Sequence, residues 1–106
     1  MFFERAQDVL LPGSYAELDR LVSLMQAIPS LEIEILGHTD NIGDERELLA
    51  LSQARAARVR LYLIEKGIAA RRIRSRGLGP SQPIASNADP QTRRLNRRVE
   101  FRILQR

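Results

Sequence analysis

The sequence predicts an α+β fold, and three observations carry that prediction. Two segments place apolar residues at helical spacing, a third alternates apolar and charged residues along a strand, and glycine or proline stands at most of the junctions between them. The resulting order is strand, helix, strand, helix, strand, strand, with one apolar sheet face for the helices to cover.

Taken in order, Phe2 and Phe3 form a short first strand, and Pro12 and Gly13 lead into a helix that begins at Ser14-x-x-Glu17. In that pattern the serine and glutamate satisfy each other's free backbone donors. Leu18, Leu21, Val22, Met25 and Ile28 follow with helical spacing, so one face is buried, and Pro29 stops the helix because its ring clashes with the preceding turn. Leu31, Ile33 and Ile35 alternate with Glu32 and Glu34, the period of a half-buried strand. That strand runs into a polar loop, Gly37-His38-Thr39-Asp40-Asn41-Ile42-Gly43, at its carboxyl end, where α/β scaffolds gather binding groups. A long helix from about Leu48 to Lys66 ends at Gly67, the position that needs a left-handed residue. Leu48, Leu51, Ser52, Ala56, Val59, Tyr62 and Leu63 make one stripe on it, with Arg55 inside. Ala50, Ala54, Ala57, Leu61 and Ile64 make a second, and periodicity does not say which one meets the sheet. Ile73 to Leu78 reads as the third strand, Pro80 to Asn96 as a loop with one helical turn from Asp89-Pro90, and Arg97 to Leu104 as the last strand. In the last strand Val99, Phe101 and Ile103 face the core, and Arg98, Glu100 and Arg102 face water.

The size, 106 residues with 43% hydrophobic and 28% charged, suits one domain, 1–106, which we read as cut from a longer protein. There is no cysteine, which excludes disulfides, thiolate metal sites and a cysteine nucleophile. The sequence has neither the charged start and apolar run of a signal peptide nor a membrane-length apolar stretch, so any membrane attachment belongs to other parts of the parent protein. The net charge of +4 is unevenly spread: residues 1–70 carry 7 basic and 11 acidic side chains, residues 71–106 carry 10 and 2. Lys66 is the only lysine, and an arginine surface suits bidentate recognition of carboxylate or phosphate, or else is a solvated basic face.

Arg55 is the most informative residue, because a guanidinium among apolar neighbours keeps its charge and must find a partner. Asp40, at the mouth of the preceding strand, comes near it if the helix runs antiparallel to that strand. Two readings fit this spacing. One is an ion pair that fixes the loop to the helix; the other is a receptor for a zwitterion, with the ligand's ammonium on Asp40 and its carboxylate on Arg55. His38 is the only histidine, so no metal site and no cofactor is expected, and His38-x-Asp40 lacks a serine on a nucleophile elbow to complete a triad. The chain is therefore read as no enzyme. Gly77-Leu78-Gly79-Pro80 does not make a phosphate loop. The run Arg93-Arg94-Leu95-Asn96-Arg97-Arg98 lacks the aromatic platform that nucleic-acid readers use, with aromatics only 5% of the chain, and no nucleic-acid partner is expected.

Five stretches in order closely resemble the OmpA C-terminal family, which includes the peptidoglycan-associated lipoproteins and the wall-anchoring part of flagellar stator proteins. They are Gly37-His38-Thr39-Asp40-Asn41-x-Gly43, Leu51-Ser52-x-x-Arg55-Ala56-x-x-Val59, Gly77-x-Gly79, Pro83-Ile84-Ala85-Ser86-Asn87 and Asn96-Arg97-Arg98-Val99-Glu100. The resemblance runs from Phe2 to Ile103. It implies a two-layer α/β sandwich with a mixed four-stranded sheet covered by helices on one face, and a groove that grips the meso-diaminopimelate of a peptidoglycan stem peptide without covalent chemistry. It places the ligand's amino end on Asp40 and a carboxylate on Arg55, with Thr39, Asn41, Leu51 and one of Arg97 or Arg98 lining or bordering the groove. It also implies a periplasmic place at the outer membrane of a diderm bacterium.

Two positions depart from the family pattern: Leu48 stands where many members have an asparagine that contacts ligand, and Glu4 where an aspartate is common. Losing the asparagine removes a neutral hydrogen bond of about 0.5 to 1.5 kcal/mol, which weakens binding several-fold without abolishing it. Selection of diaminopimelate over lysine survives, since a lysine stem lacks the second carboxylate and leaves the guanidinium unpaired. The competing expectation is the same fold used as an interaction module, as in a homodimer, without wall binding.

Overall fold

The computed structural model describes residues 14–82, 86–89, 91 and 94–106. Among these the chain forms α1 (Ser14–Ala27), β1 (Glu32–Gly37), α2 (Glu45–Glu65), β2 (Ile73–Gly77) and β3 (Val99–Gln105), with short 3-10 turns at Ala70–Arg72 and Arg94–Asn96. The three strands make a mixed sheet in the order β2-β1-β3. β1 runs parallel to β2, with Ile33 beside Ile73 and Gly37 beside Gly77, and antiparallel to β3, with Ile35 beside Phe101 and Gly37 beside Val99. The strand expected at Phe2 and Phe3 lies outside the described residues, as do Pro83 to Ala85 of the family motif and most of the turn expected at Asp89-Pro90. Of that turn, Asp89 Oδ1 accepts the Gln91 N–H at 2.9 Å, the bond of a helix start.

The core lies between the sheet and both helices. Leu18, Leu21, Val22 and Met25 of α1, Ile33 and Ile35 of β1, Ala56, Val59 and Leu63 of α2, and Ile73 and Val99 form one buried cluster. The ambiguity on α2 is resolved in favour of the stripe that holds Arg55: Leu48, Ser52, Arg55, Ala56, Val59 and Leu63 are its buried residues. Leu61 of the second stripe is exposed.

Several sequence expectations need correction. Helix α2 starts three residues earlier than the apolar pattern indicated, because Asp44 caps it: its Oδ1 accepts the backbone N–H of Arg46 at 2.9 Å and of Glu47 at 3.3 Å. Ile28 falls past the end of α1 and is exposed rather than in the core. Phe101 and Ile103 share the core side of β3 with Val99, yet they stay 43% and 41% exposed, since β3 lies at the edge of the described sheet. On the opposite sheet face Glu34 sits between arginines, 2.8 Å from Arg102 Nη2 directly across the strands and 3.5 Å from Arg76 Nε.

Two contacts fix the layers. Arg72 donates from Nε to the Leu31 carbonyl at 3.0 Å, and from Nη2 to the carbonyls of Met25 and Ile28 at 2.7 and 2.8 Å. One guanidinium thus satisfies the free carbonyls at the end of α1 and the entry to β1. At the other end of the strands, Gly37 and Gly77 let the backbone of α2 come down on the sheet. A Cβ on Gly37 runs into the Ser52 carbonyl oxygen, and one on Gly77 into the Ser52 hydroxyl and the Gln53 backbone nitrogen. Because the obstacle at Gly37 is backbone, which cannot rotate away, Gly37→Ala is expected to destabilise the domain by about 2 to 3 kcal/mol. Denaturant unfolding monitored by circular dichroism reads this as a lower midpoint.

Candidate functional site

The close approach at Gly37 and Gly77 sets the first turns of α2 against the loop that leaves β1. The loop is held from three sides. His38 N–H donates to the Arg98 carbonyl at 2.8 Å, and Thr39 N–H to the Gly79 carbonyl at 3.0 Å. Gly79 N–H in turn donates to the Ser52 hydroxyl at 2.9 Å, whose own proton goes to the Leu49 carbonyl at 2.7 Å. Gly79 sits at φ +59°, where a side chain is disfavoured, and so turns the chain after β2 back toward this loop. His38, Thr39 and Asp40 are all buried as a result, unusual for a polar loop.

Between this loop and α2 lies a cavity of about 200 Å³ lined by Thr39, Asp40, Ile42, Leu48, Leu51 and Arg55 among others. Asp40 is 3% exposed and Arg55 fully buried. Asp40 Oδ1 accepts the Ile42 N–H at 3.0 Å, the local bond that rounds the loop, and Oδ2 accepts from Arg97 Nη1 at 3.1 Å. Arg55 Nη1 donates to the His38 carbonyl at 3.0 Å, which ties the guanidinium to the loop backbone. Thr39 donates its hydroxyl proton to the Asp40 carbonyl at 2.8 Å. The cavity thus joins one carboxylate and one guanidinium, both mostly removed from water, to an aliphatic wall of Ile42, Leu48 and Leu51. Charge interactions are stronger in such a setting than at an open surface.

Of the residues singled out from sequence, Thr39, Asp40, Leu51 and Arg55 line this one cavity, and Arg97 reaches it through Asp40. Asn41 is exposed on the loop beside Asp40. Arg98 turns elsewhere: it donates from Nε to Glu100 Oε1 at 2.7 Å and from Nη2 to the Gln82 carbonyl at 2.9 Å. Sequence reasoning passed over Ile42 as part of the wall, although an isolated isoleucine in a polar loop was a signal. Among the described residues no group of three His, Asp or Glu side chains is placed to hold a metal ion.

His38 is fully buried behind the cavity. Its Nε2 stands 3.5 Å from Glu100 Oε2, too far for a good hydrogen bond. Burial, with the nearby Arg98 charge, lowers its pKa from the ordinary 6.5, and Glu100 offsets this only in part. Burial also acts on Glu100, in the upward direction, but the Arg98 bond and charge and the His38 ring outweigh it and the carboxyl lies below its usual range. A histidine kept neutral in the fold favours the native state at a pH above its unfolded value, and that advantage is lost as the pH falls below about 6.5. The Glu100 contribution has the same sign and is lost further into acid. The midpoint of thermal unfolding is expected to drop between pH 7 and 5, and His38→Gln to flatten that slope in melts across the same range.

The model of the OmpA family matches residues 2–97 of this chain. Outer membrane porin F of Pseudomonas fluorescens is 41% identical over 95% of the chain, and the peptidoglycan-binding protein ArfA of Mycobacterium bovis 44% identical over 87%. The chain covers 31% and 28% of those two proteins, so it spans about a third of the length of such relatives. Among solved structures, the peptidoglycan-associated lipoprotein of Burkholderia pseudomallei superposes with a TM-score of 0.91 at 27% identity, over 96% of this chain and 86% of that one. The C-terminal domain of Helicobacter pylori MotB gives 0.87 at 28%, over 96% and 81%. With the family model matched over nearly its whole length, the chain belongs to the OmpA family.

Proposed function

We propose that this domain binds peptidoglycan without covalent chemistry, through the meso-diaminopimelate of an uncrosslinked stem peptide, and so anchors a longer envelope protein to the cell wall. The observation that carries the reading is the cavity in which Asp40 and Arg55 are buried beside an aliphatic wall. Diaminopimelate has matching chemistry: a short aliphatic chain ending in an ammonium and a carboxylate on one carbon. The chain packs on Leu48, Leu51 and Ile42, the ammonium meets Asp40 in competition with Arg97, and the carboxylate meets Arg55, whose fork suits it. Both ligand charges then replace water with an opposite charge in a place of low dielectric.

The relatives named for peptidoglycan, in Mycobacterium and Burkholderia, support this ligand, and the porin points to an envelope setting. We place the domain in the periplasm, at the outer membrane of a diderm cell, as a binding module without catalysis. Among the described residues no helix is long and apolar enough to cross a membrane. Among the described arginines of the C-terminal third, Arg72 is held on α1, Arg97 on Asp40 and Arg98 on Glu100, while Arg76 and Arg102 pair with Glu34 at the surface.

A second reading, an interaction module of the same fold, draws on Leu24, Phe101 and Ile103, each more than 40% exposed on one side of the domain. A dimer in sedimentation together with no muropeptide binding favours it.

Calorimetric titration with the tripeptide L-alanyl-γ-D-glutamyl-diaminopimelate tests the main reading. Saturable binding is expected in the wild type. Asp40→Asn keeps the shape, removes the charge-assisted bond and is expected to weaken binding by roughly ten- to a hundredfold. Leu48→Asn, which puts a hydrogen-bonding side chain into the cavity wall, is expected to strengthen it several-fold, by about 0.5 to 1.5 kcal/mol. A folded wild type that does not bind contradicts the reading.

A further inference from the structure

The lining of the groove divides by exposure, and that division locates its mouth. Thr39, Asp40, Leu48 and Arg55 are buried, whereas Ile42, Gly43 and Glu47 are exposed. A ligand gripped by the buried charges therefore leaves the groove past Ile42, Gly43 and Glu47. Of those three, only Glu47 is charged.

The deep polar groups are engaged within the fold: Thr39 on the Asp40 carbonyl, Asp40 on Arg97 and the Ile42 amide, and Arg55 on the His38 carbonyl. Glu47 differs. Its backbone N–H is held by the Asp44 cap at 3.3 Å, which fixes where the residue leaves the first turn of α2. Among the described residues its carboxylate makes no ion pair and accepts no hydrogen bond. Nor is it neutralised by its neighbours, because Asp44 and Glu45 share the turn with it and Arg46 is the only cation there. The helix N-terminus, equivalent to about half a positive charge, offsets only part of that excess. The mouth of the groove is thus acidic, although the buried end is matched to a zwitterion.

We propose that Glu47 makes the groove select stem peptides in which the stem-side carboxyl of diaminopimelate is bonded as an amide, as it is when a further residue follows, over stems that end there in a free carboxylate. The inference rests on the peptidoglycan reading above and adds to it the form of stem that the groove takes. Diaminopimelate has two stereocentres. One bears the ammonium and carboxylate assigned to Asp40 and Arg55; the other joins the residue to the stem and bears the second carboxyl. Four C–C bonds separate them, about 5 Å when extended. Those methylenes lie along Leu48, Leu51 and Ile42, and Ile42 is itself at the mouth, so the second stereocentre emerges at the rim that Glu47 shares. A free carboxylate at this point meets a like charge in a partly desolvated place, which lowers affinity. An amide carries no charge there, and its N–H can donate to Glu47, a hydrogen bond with a charged acceptor. One side chain thereby favours the amide form and disfavours the acid form.

The test titrates the intact chain by calorimetry with two probes: the tripeptide with its stem-side carboxyl free, and the same tripeptide with that carboxyl as the primary amide. At about 0.1 M salt the amide form is expected to bind the wild type roughly fivefold tighter. Glu47→Gln is expected to narrow the ratio to less than about twofold, chiefly by raising affinity for the acid form, and Glu47→Lys to reverse it. Raising the salt to about 1 M is expected to narrow the wild-type ratio as well, since charges are then screened beyond about 3 Å. Equal affinity of the wild type for the two probes overturns the selection and leaves the groove standing, and so does a preference that Glu47→Gln leaves intact. Binding of neither probe overturns the groove and the selection together.

Discussion

Arg55 carries a charge that it cannot shed, and its side chain is fully buried on the face of α2 that packs against the sheet. An isolated buried guanidinium is far too costly to persist, so the fold around it has to supply acceptors. The loop after β1 meets that requirement in part with the His38 carbonyl. For that carbonyl to reach the helix, the loop must turn inward, and it does so only because Gly37 and Gly77 allow the helix backbone to settle on the ends of β1 and β2. The inward turn also buries Asp40 and leaves a cavity between it and Arg55. A backbone constraint and a solvation requirement thus jointly determine where the polar groups of the site lie.

The same logic explains why the supporting charges are layered. Asp40 has Arg97 on one oxygen and the Ile42 amide on the other. Behind them Arg98, Glu100 and the neutral His38 form a second set that fixes the start of β3, just after Arg97. With these neighbours the Asp40 carboxylate is satisfied without ligand, so a ligand ammonium has to compete with Arg97 rather than fill an empty place. Under the proposed function, that competition lowers the affinity of the groove for a ligand ammonium.

Much of this was legible in the sequence, and for physical reasons. The alternation in Leu31 to Ile35 and the spacing of Leu18, Leu21, Val22 and Met25 report burial directly, and both appear in the structure as read. Arg55 inside an apolar stripe pointed to a buried charge. What remained hidden depends on contacts distant in sequence. Nothing local reveals that Arg72 caps a helix more than forty residues earlier, or that Asp40 meets Arg97 across the domain. The start of α2 was missed for a different reason: Asp44-x-x-Glu47 is a capping pattern, and the apolar count that fixed the boundary gave it no weight. The exposure of Phe101 and Ile103 could not be read from alternation, which tells the face of a strand but not whether anything covers it.

Under the proposed function, the buried Asp40 carboxylate and the buried Arg55 guanidinium together read a zwitterion. The measurement that tests it most directly is the affinity of the wild-type domain for two stem tripeptides that differ only in ending with meso-diaminopimelate or with lysine. The lysine stem retains the amine and leaves Arg55 without its carboxylate, so a preference for diaminopimelate of roughly a hundredfold or more is expected. Equal binding of the two peptides would contradict it, because the guanidinium would then have no part in recognition.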